Sequence, residues 1–369
     1  MPRVFLLFAI TGVVSSVALA GAGPRTRVRA VSVKVSHETA PAGGLAQLKI
    51  RMTDDKPIIT GRARLSLVGL AGVEGISLVS PSDDAAGLAV VRGTDIALTV
   101  VSPNGTFGMD SDYPLITVAG RVPADAIIGE TFPVVLHPDA LQLIAPTGVS
   151  YPTDISQGQL MSWPGLAIYD VVPGSATVTA RGTVSILGSH FHPATEVRFG
   201  ETEAAVAHVH YVGPTRLDVT VRDTTSMHGI EIEARTPDDS RVTYFSYQRT
   251  SRWGKSAHAV LRDVVPLFLR RTMREATLQL DGAAAGVALQ NLDTQDATVM
   301  LDLLASDGVL VDVARMTIPT NQFVVRDLRE VFHARPAGAV TVRLSSTTPV
   351  QVLGVSVDAS GAATPRLPQ

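Results

Sequence analysis

Four histidines gather in one stretch of the chain, His190, His192, His208 and His210, with His228 shortly after. Imidazole nitrogens bind zinc and copper, and a His-x-His on a strand points both rings to one face. The spacing is therefore that of a metal site. Two features oppose it. His190 and His192 bracket Phe191, an expected core residue, in what reads as a loop, which turns both rings to solvent. No carboxylate stands where it would complete a coordination shell. The expectation is surface histidines without bound metal. Asp110 and Asp112, either side of Ser111, and the pair Asp83-Asp84 offer hard oxygen ligands of the kind calcium takes. Calcium wants roughly six to eight oxygens, and both segments read as solvated turns.

Other catalytic chemistry leaves no mark. The chain has no Gly-x-Ser-x-Gly elbow, no His-Glu-x-x-His helix and neither glycine-rich phosphate motif. Without cysteine it has no thiol nucleophile, thiolate metal site or disulfide framework. No catalytic residue and no cofactor is expected. A glycosidase carboxylate pair is positioned by the fold and leaves no local motif, so a secreted hydrolase with an unrecognised site stays open as an alternative. The 31 basic and 34 acidic residues give a formal net charge of -3, which supplies no broad positive field for nucleic acid.

At the N-terminus, Arg3 precedes the apolar run from Val4 to Ile10, and the small-residue stretch ends in Ala18-Leu19-Ala20. That order is a secretory signal peptide, residues 1–20. Thr11, Gly12, Ser15 and Ser16 interrupt the segment, which is short of the roughly 20 apolar residues that span a bilayer. The expectation is a secreted, extracellular or periplasmic protein with no membrane span after cleavage.

The positions that must hold any site are strands. Apolar and polar residues alternate in Ala46 to Met52, Ala63 to Leu67, Leu217 to Val221, Ile230 to Ala234, Leu278 to Leu280 and Val340 to Leu344. Period two is the mark of a half-buried strand with one wet face. Turn signals such as Pro237-Asp238-Asp239-Ser240 and Ser306-Asp307-Gly308 separate them, and one helical turn is expected in Val325 to Phe332. With 45% apolar and 18% charged residues the chain is a folded one. Composition breaks at Gly21 to Arg27, Trp163-Pro164-Gly165 and Gln248 to His258 divide it into blocks of ordinary sandwich size. The fold class is all-β, three consecutive antiparallel β-sandwich domains after a signal peptide. The expected boundaries are 28–163, 167–248, a linker at 249–262, 263–359, and a tail at 360–369.

The middle block runs through Thr183-Val184-Ser185-Ile186-Leu187-Gly188-Ser189-His190-Phe191 and Thr195-Glu196-Val197-Arg198-Phe199-Gly200, and closes on Thr243 to Tyr247. It resembles an IPT/TIG domain, an immunoglobulin-like sandwich with a Gly-x-x-Phe corner and a strand ending Phe-Gly. The resemblance implies structural roles for Gly188, Phe191, Phe199 and Gly200: glycines where φ turns positive, phenylalanines in the core. The first block is similar to cohesin-like and carbohydrate-binding-module-like sandwiches, with Ala40-Pro41-Ala42-Gly43-Gly44 before an early strand and Ala126-Ile127-Ile128-Gly129 after a late one. It departs from the sugar-binding pattern in having no row of aromatics; Trp163 and Trp253 both fall at expected linkers. The last block resembles the generic β-sandwich of secreted bacterial proteins, with a hairpin turn at Asp307-Gly308.

These readings point to a non-catalytic, secreted, multi-domain protein that binds a polysaccharide or cell-surface protein, through loops such as Pro103 to Tyr113 and Asp83 to Gly87. The competing class is a structural or assembly component that joins partners by sheet edges.

Overall fold

The structure is a computed structural model of the 369-residue chain, which describes residues 30–53, 56–79, 85–104, 114–174, 177–200, 205–227, 230–245, 248–249, 261, 263–268, 271–281, 284–334, 339–358 and 362–369. The expected signal peptide, Asp83, Asp84, Asp110, Asp112, His228 and Trp253 lie outside the described residues. The described chain is all-β, as the alternation requires.

The first sandwich packs two sheets around Leu48, Met52, Leu65, Leu67, Ile96, Leu136 and Leu160. One sheet orders Thr153–Ser156, Val31–Val35, Leu45–Thr53, Ile116–Arg121 and Gly72–Leu78. The other orders His37–Ala40, Gly158–Ser162, Thr131–Leu136, Thr60–Leu67, Asp95–Val101 and Ala86–Arg92. Not every pair is antiparallel. The opening and closing segments run side by side in parallel, Val31–Val35 with Thr153–Ser156 and His37–Ala40 with Gly158–Ser162. Both cross from one sheet to the other at the same level, which closes the sandwich. At the crossing the Gln157 amide bonds the Leu136 backbone through both N–H and C=O, at 2.7 and 2.8 Å. Gly158 has no room for a side chain, since a Cβ would stand 2.4 Å from the Ser36 carbonyl oxygen.

The middle sandwich sets Ala167–Val172, Thr183–Ser189, Arg216–Val221 and Val206–Gly213 in one sheet, against Glu196–Phe199, Glu231–Arg235 and Arg241–Phe245 in the other. The C-terminal sandwich is organised by one 18-residue strand, Val340–Val357. Its first half lies between Met273–Leu280 and Ala297–Leu304, its second between Ala284–Gln290 and Ala363–Arg366, so a single strand serves two sheets. Leu310–Ile318 and Phe323–Asp327 complete the ends. The expected helical turn is shorter than its pattern: Phe323–Asp327 is extended, and the Asp327 carboxylate accepts from Arg329 N to cap the single turn Leu328–Val331.

Four expectations change. The stretch 249–262 does not begin as a linker, because Gln248–Arg249 pairs with Gly72–Leu78 of the first sandwich. Val264–Leu267, expected to open the last sandwich, pairs instead with Ala86–Arg92. The chain leaving the middle unit thus returns to the first and adds an edge strand to each of its sheets. Nor is 360–369 a loose tail: Ala363–Arg366 is a strand, Arg366 bonds Asp281, and Gln369 exchanges backbone hydrogen bonds with Thr277. Finally, the wet face expected on Ala46 to Met52 is covered at Gln47 and Lys49 and stays exposed at Arg51. Gln47 is 7% and Lys49 8% exposed, because the middle sandwich packs on that face and Ala119 from the neighbouring strand joins its core.

Candidate binding surfaces

The four histidines sit on two separate elements of the middle sandwich. His190 and His192 are exposed in the turn after Thr183–Ser189, with His190 at φ 59°. His192 holds that turn together. Its Nδ1 accepts from Ala194 N at 3.0 Å, and its own N–H bonds Thr195 Oγ1 at 2.8 Å. His208 and His210 stand exposed on the edge strand Val206–Gly213. His210 is opposite Asp218, whose carboxylate is held by Arg216 at 2.8 Å and Ser185 at 2.7 Å. The Arg216 hydrogen bond holds the Asp218 carboxyl below its ordinary range against the cost of desolvation, with smaller help from Ser185 and the charges of Arg216 and His210. Among the described residues no three metal-ligating side chains come together.

Phe191 and Phe199 are buried in the middle core. The two glycines beside them are glycine for different reasons. Gly200 has φ 63° with open space around it, the left-handed position expected. Gly188 is instead a matter of room: a Cβ would meet the Ala167 carbonyl oxygen at 2.0 Å and the Phe191 ring at 2.4 Å.

Two surfaces that the sequence does not flag stand out. The first is a cleft of about 360 Å³ between the first and middle sandwiches, lined by Pro41 to Leu45, Glu74, Arg121, Tyr169, Asp170 and Leu187. Arg121 donates from Nε to Glu74 Oε1 at 2.8 Å and from Nη1 to the Gly43 carbonyl at 2.9 Å. Each wall contains a β-bulge. The register of Gly72–Leu78 skips between Val73 and Gly75, leaving Glu74 as the extra residue. That of Ala167–Val172 skips between Ile168 and Asp170, leaving Tyr169. A bulge re-aims the side chain it adds. Strand alternation gives no hint of either.

The second surface is the edge strand Leu310–Ile318, which pairs only with Ala297–Leu304 among the described residues. Val309, Leu310, Val311 and Val313 are 60%, 55%, 48% and 43% exposed, while Ala314 and Met316 turn inward onto the core. The run Val309-Leu310-Val311, which breaks the period of two beyond the Asp307-Gly308 turn, is the one signal for it in the sequence. The turn itself forms as expected, with Gly308 at φ 83° and Ala305 N bonded to Val309 O.

No family model matches the chain, and no curated relative matches it. Solved structures similar to it include cohesins, each over 36% of this chain. A non-cellulosomal cohesin from the archaeon Archaeoglobus fulgidus agrees at 16% identity over 91% of its own length, with a TM-score of 0.32. The cohesin of the OlpA cohesin–dockerin complex from Clostridium thermocellum agrees at 13% over 99%, TM-score 0.32. A cohesin from Clostridium acetobutylicum agrees at 14% over 91%, TM-score 0.31. At that level the likenesses carry no argument about partner or activity. The strand pairing described above is the ground for the fold.

Proposed function

We propose that this is a non-catalytic, exported assembly protein that takes a strand from a partner protein along its edge Leu310–Ile318, with the middle unit as an IPT/TIG-like spacer. One observation carries the reading: a nine-residue edge strand that presents Val311 and Val313 to solvent, next to exposed Val309 and Leu310 at the hairpin tip. An edge strand offers a row of backbone donors and acceptors, and proteins ordinarily blunt such edges with charge, proline, bulges or cover. The edge Val206–Gly213 of the middle sandwich is blunted in this way, carrying two bulges. Leu310–Ile318 has a single bulge, at Val311 beside the hairpin turn, and is regular from Asp312 to Ile318. Exposed apolar side chains on such an edge mark an interaction site, and the occupant that satisfies backbone and side chains together is another strand. Its chemistry follows from cross-strand pairing: apolar residues against Val311 and Val313, and a carboxylate against Arg315.

Glycan recognition through a row of solvent-facing aromatics finds less support, since Trp163 is the one aromatic among the large exposed apolar residues described. The test is site-specific photo-crosslinking in the producing cell, from a reactive residue at position 313 and, as control, at the exposed position 128. The expected result is a discrete crosslinked heteromer from 313, competed away by co-expressed native chain but not by the Val313→Lys chain at equal expression. Equal crosslinking from 128, or none from 313, contradicts the reading.

A further inference from the structure

We propose that the cleft between the first and middle sandwiches is a binding site for a neutral saccharide, distinct from the edge strand that takes the protein partner. The geometry points to it from both walls. Two bulged residues, Glu74 from the first sandwich and Tyr169 from the middle one, are aimed into one cavity of about 360 Å³. That volume is within the roughly 300–1,000 Å³ of small-molecule pockets, which favour domain interfaces. Arg121 is fixed between Glu74 Oε1 and the Gly43 carbonyl, and that leaves its Nη2, together with Glu74 Oε2, without a protein partner among the described residues. A fixed donor and a fixed acceptor therefore stand side by side, and the charges of that pair cancel; the Asp170 carboxylate, also in the lining, is buried and has an interaction of its own. An anion meets Glu74 and an ammonium meets Arg121, so neither is favoured. A hydroxyl both donates and accepts, and neighbouring hydroxyls match such a pair. Tyr169, half-buried so that desolvation raises its phenol above the ordinary value, supplies a hydroxyl and a ring face. Leu187 and Pro41 add apolar surface for the C–H side of a sugar ring.

The test uses the full chain, titrated by calorimetry and on a glycan array with neutral mono- and disaccharides, and with galacturonate as the charged control. The expected result is saturable binding of at least one neutral sugar, weaker by about tenfold or more in Tyr169→Ala. Glu74→Gln keeps a side chain of the same shape but uncovers the Arg121 charge, so it should lose neutral sugar and gain galacturonate. Thermal melting of each variant shows whether it is folded, and Tyr169→Phe serves as the milder change if Tyr169→Ala is not. Preference of the native chain for galacturonate, absence of any neutral-sugar binding, or binding unchanged in folded Tyr169 and Glu74 variants would each overturn the proposal. Photo-crosslinking from position 313 is independent of all these outcomes.

Discussion

Toward the middle sandwich, the first sandwich presents the outer face of the sheet that carries Gln47, Lys49, Ser77 and Thr117. Toward the C-terminal sandwich it presents Ala86 and Leu88. The first junction is polar and each buried group has a partner: the Gln47 amide bonds both N–H and C=O of Phe245, Ser77 bonds Thr117 at 2.8 Å, and Lys49 lies 3.3 Å from Glu38. The second junction is apolar at its centre, with the buried Gln290 and Gln351 side by side on the same face of its strands. Ala86 and Leu88 join Leu261, Val264, Phe268, Ala284, Ala288, Phe323, Val325, Leu353, Val355 and Val357 in one buried cluster. The two junctions therefore play different roles. Apolar burial is non-directional and supplies stability in proportion to area. Matched polar groups add little net energy but penalise any other arrangement, because a misplaced unit leaves buried donors and acceptors unpaired. The apolar junction holds the ends together, and the polar one fixes the walls of the cleft.

The largest effect is expected at the apolar junction. Leu353→Ala removes a fully buried side chain and should cost about 2–5 kcal/mol. Because Leu353 belongs to a core shared by two sandwiches, urea denaturation followed by intrinsic fluorescence and by hydrogen exchange should show both units lose stability together. A first sandwich that keeps its midpoint while the last one melts early would break the comparison. Gln47→Leu comes next. It strands the Phe245 backbone groups at a buried site, for a cost of about 1–3 kcal/mol, and faster exchange should be confined to Phe245 and residues 248–249. Loss spread evenly over the chain would mean that the polar contact is not local. The smallest effect belongs to the partly exposed Arg216–Asp218 pair, part of neither junction. Asp218 is held below its ordinary range when folded. Its contribution is therefore present above the unfolded carboxyl value and lost as pH falls through the lower folded one. Asp218→Asn should flatten that acid limb slightly, with less effect in high salt.

The strands are legible in the sequence because alternation reports which side of a ladder faces the core. Arg216–Val221, Thr60–Leu67 and Met273–Leu280 all contain the segments that the pattern marks. Alternation does not report what covers the other side. Gln47 and Lys49 look like wet-face residues and are buried by a neighbouring domain, a contact between positions 198 apart in the chain for Gln47 and Phe245. Gln248–Arg249 is too short for any period to show. The dense apolar run from Val350 to Val355 does carry a signal, since a strand buried on both faces reads as continuous rather than alternating. In Val350 and Val352 it meets the domain core, and in Leu353 and Val355 the shared junction. The candidate sites are less legible. Glu74 and Tyr169 depend on bulges set by pairing register. The histidines, conspicuous in sequence, are turn and edge-strand residues.

Strand addition at Leu310–Ile318 is most directly tested by hydrogen–deuterium exchange on the full chain, alone and with peptides selected on it from a library of short random sequences. The native chain should show slowed exchange across 310–318 when such a peptide binds. The effect should vanish in Val313→Pro, because proline blocks the edge and costs the fold only the bond from the Val313 N–H to the Asp312 carboxylate, now 2.8 Å. Protection that appears elsewhere while 310–318 exchanges unchanged, or that survives in a folded Val313→Pro chain, would contradict the account.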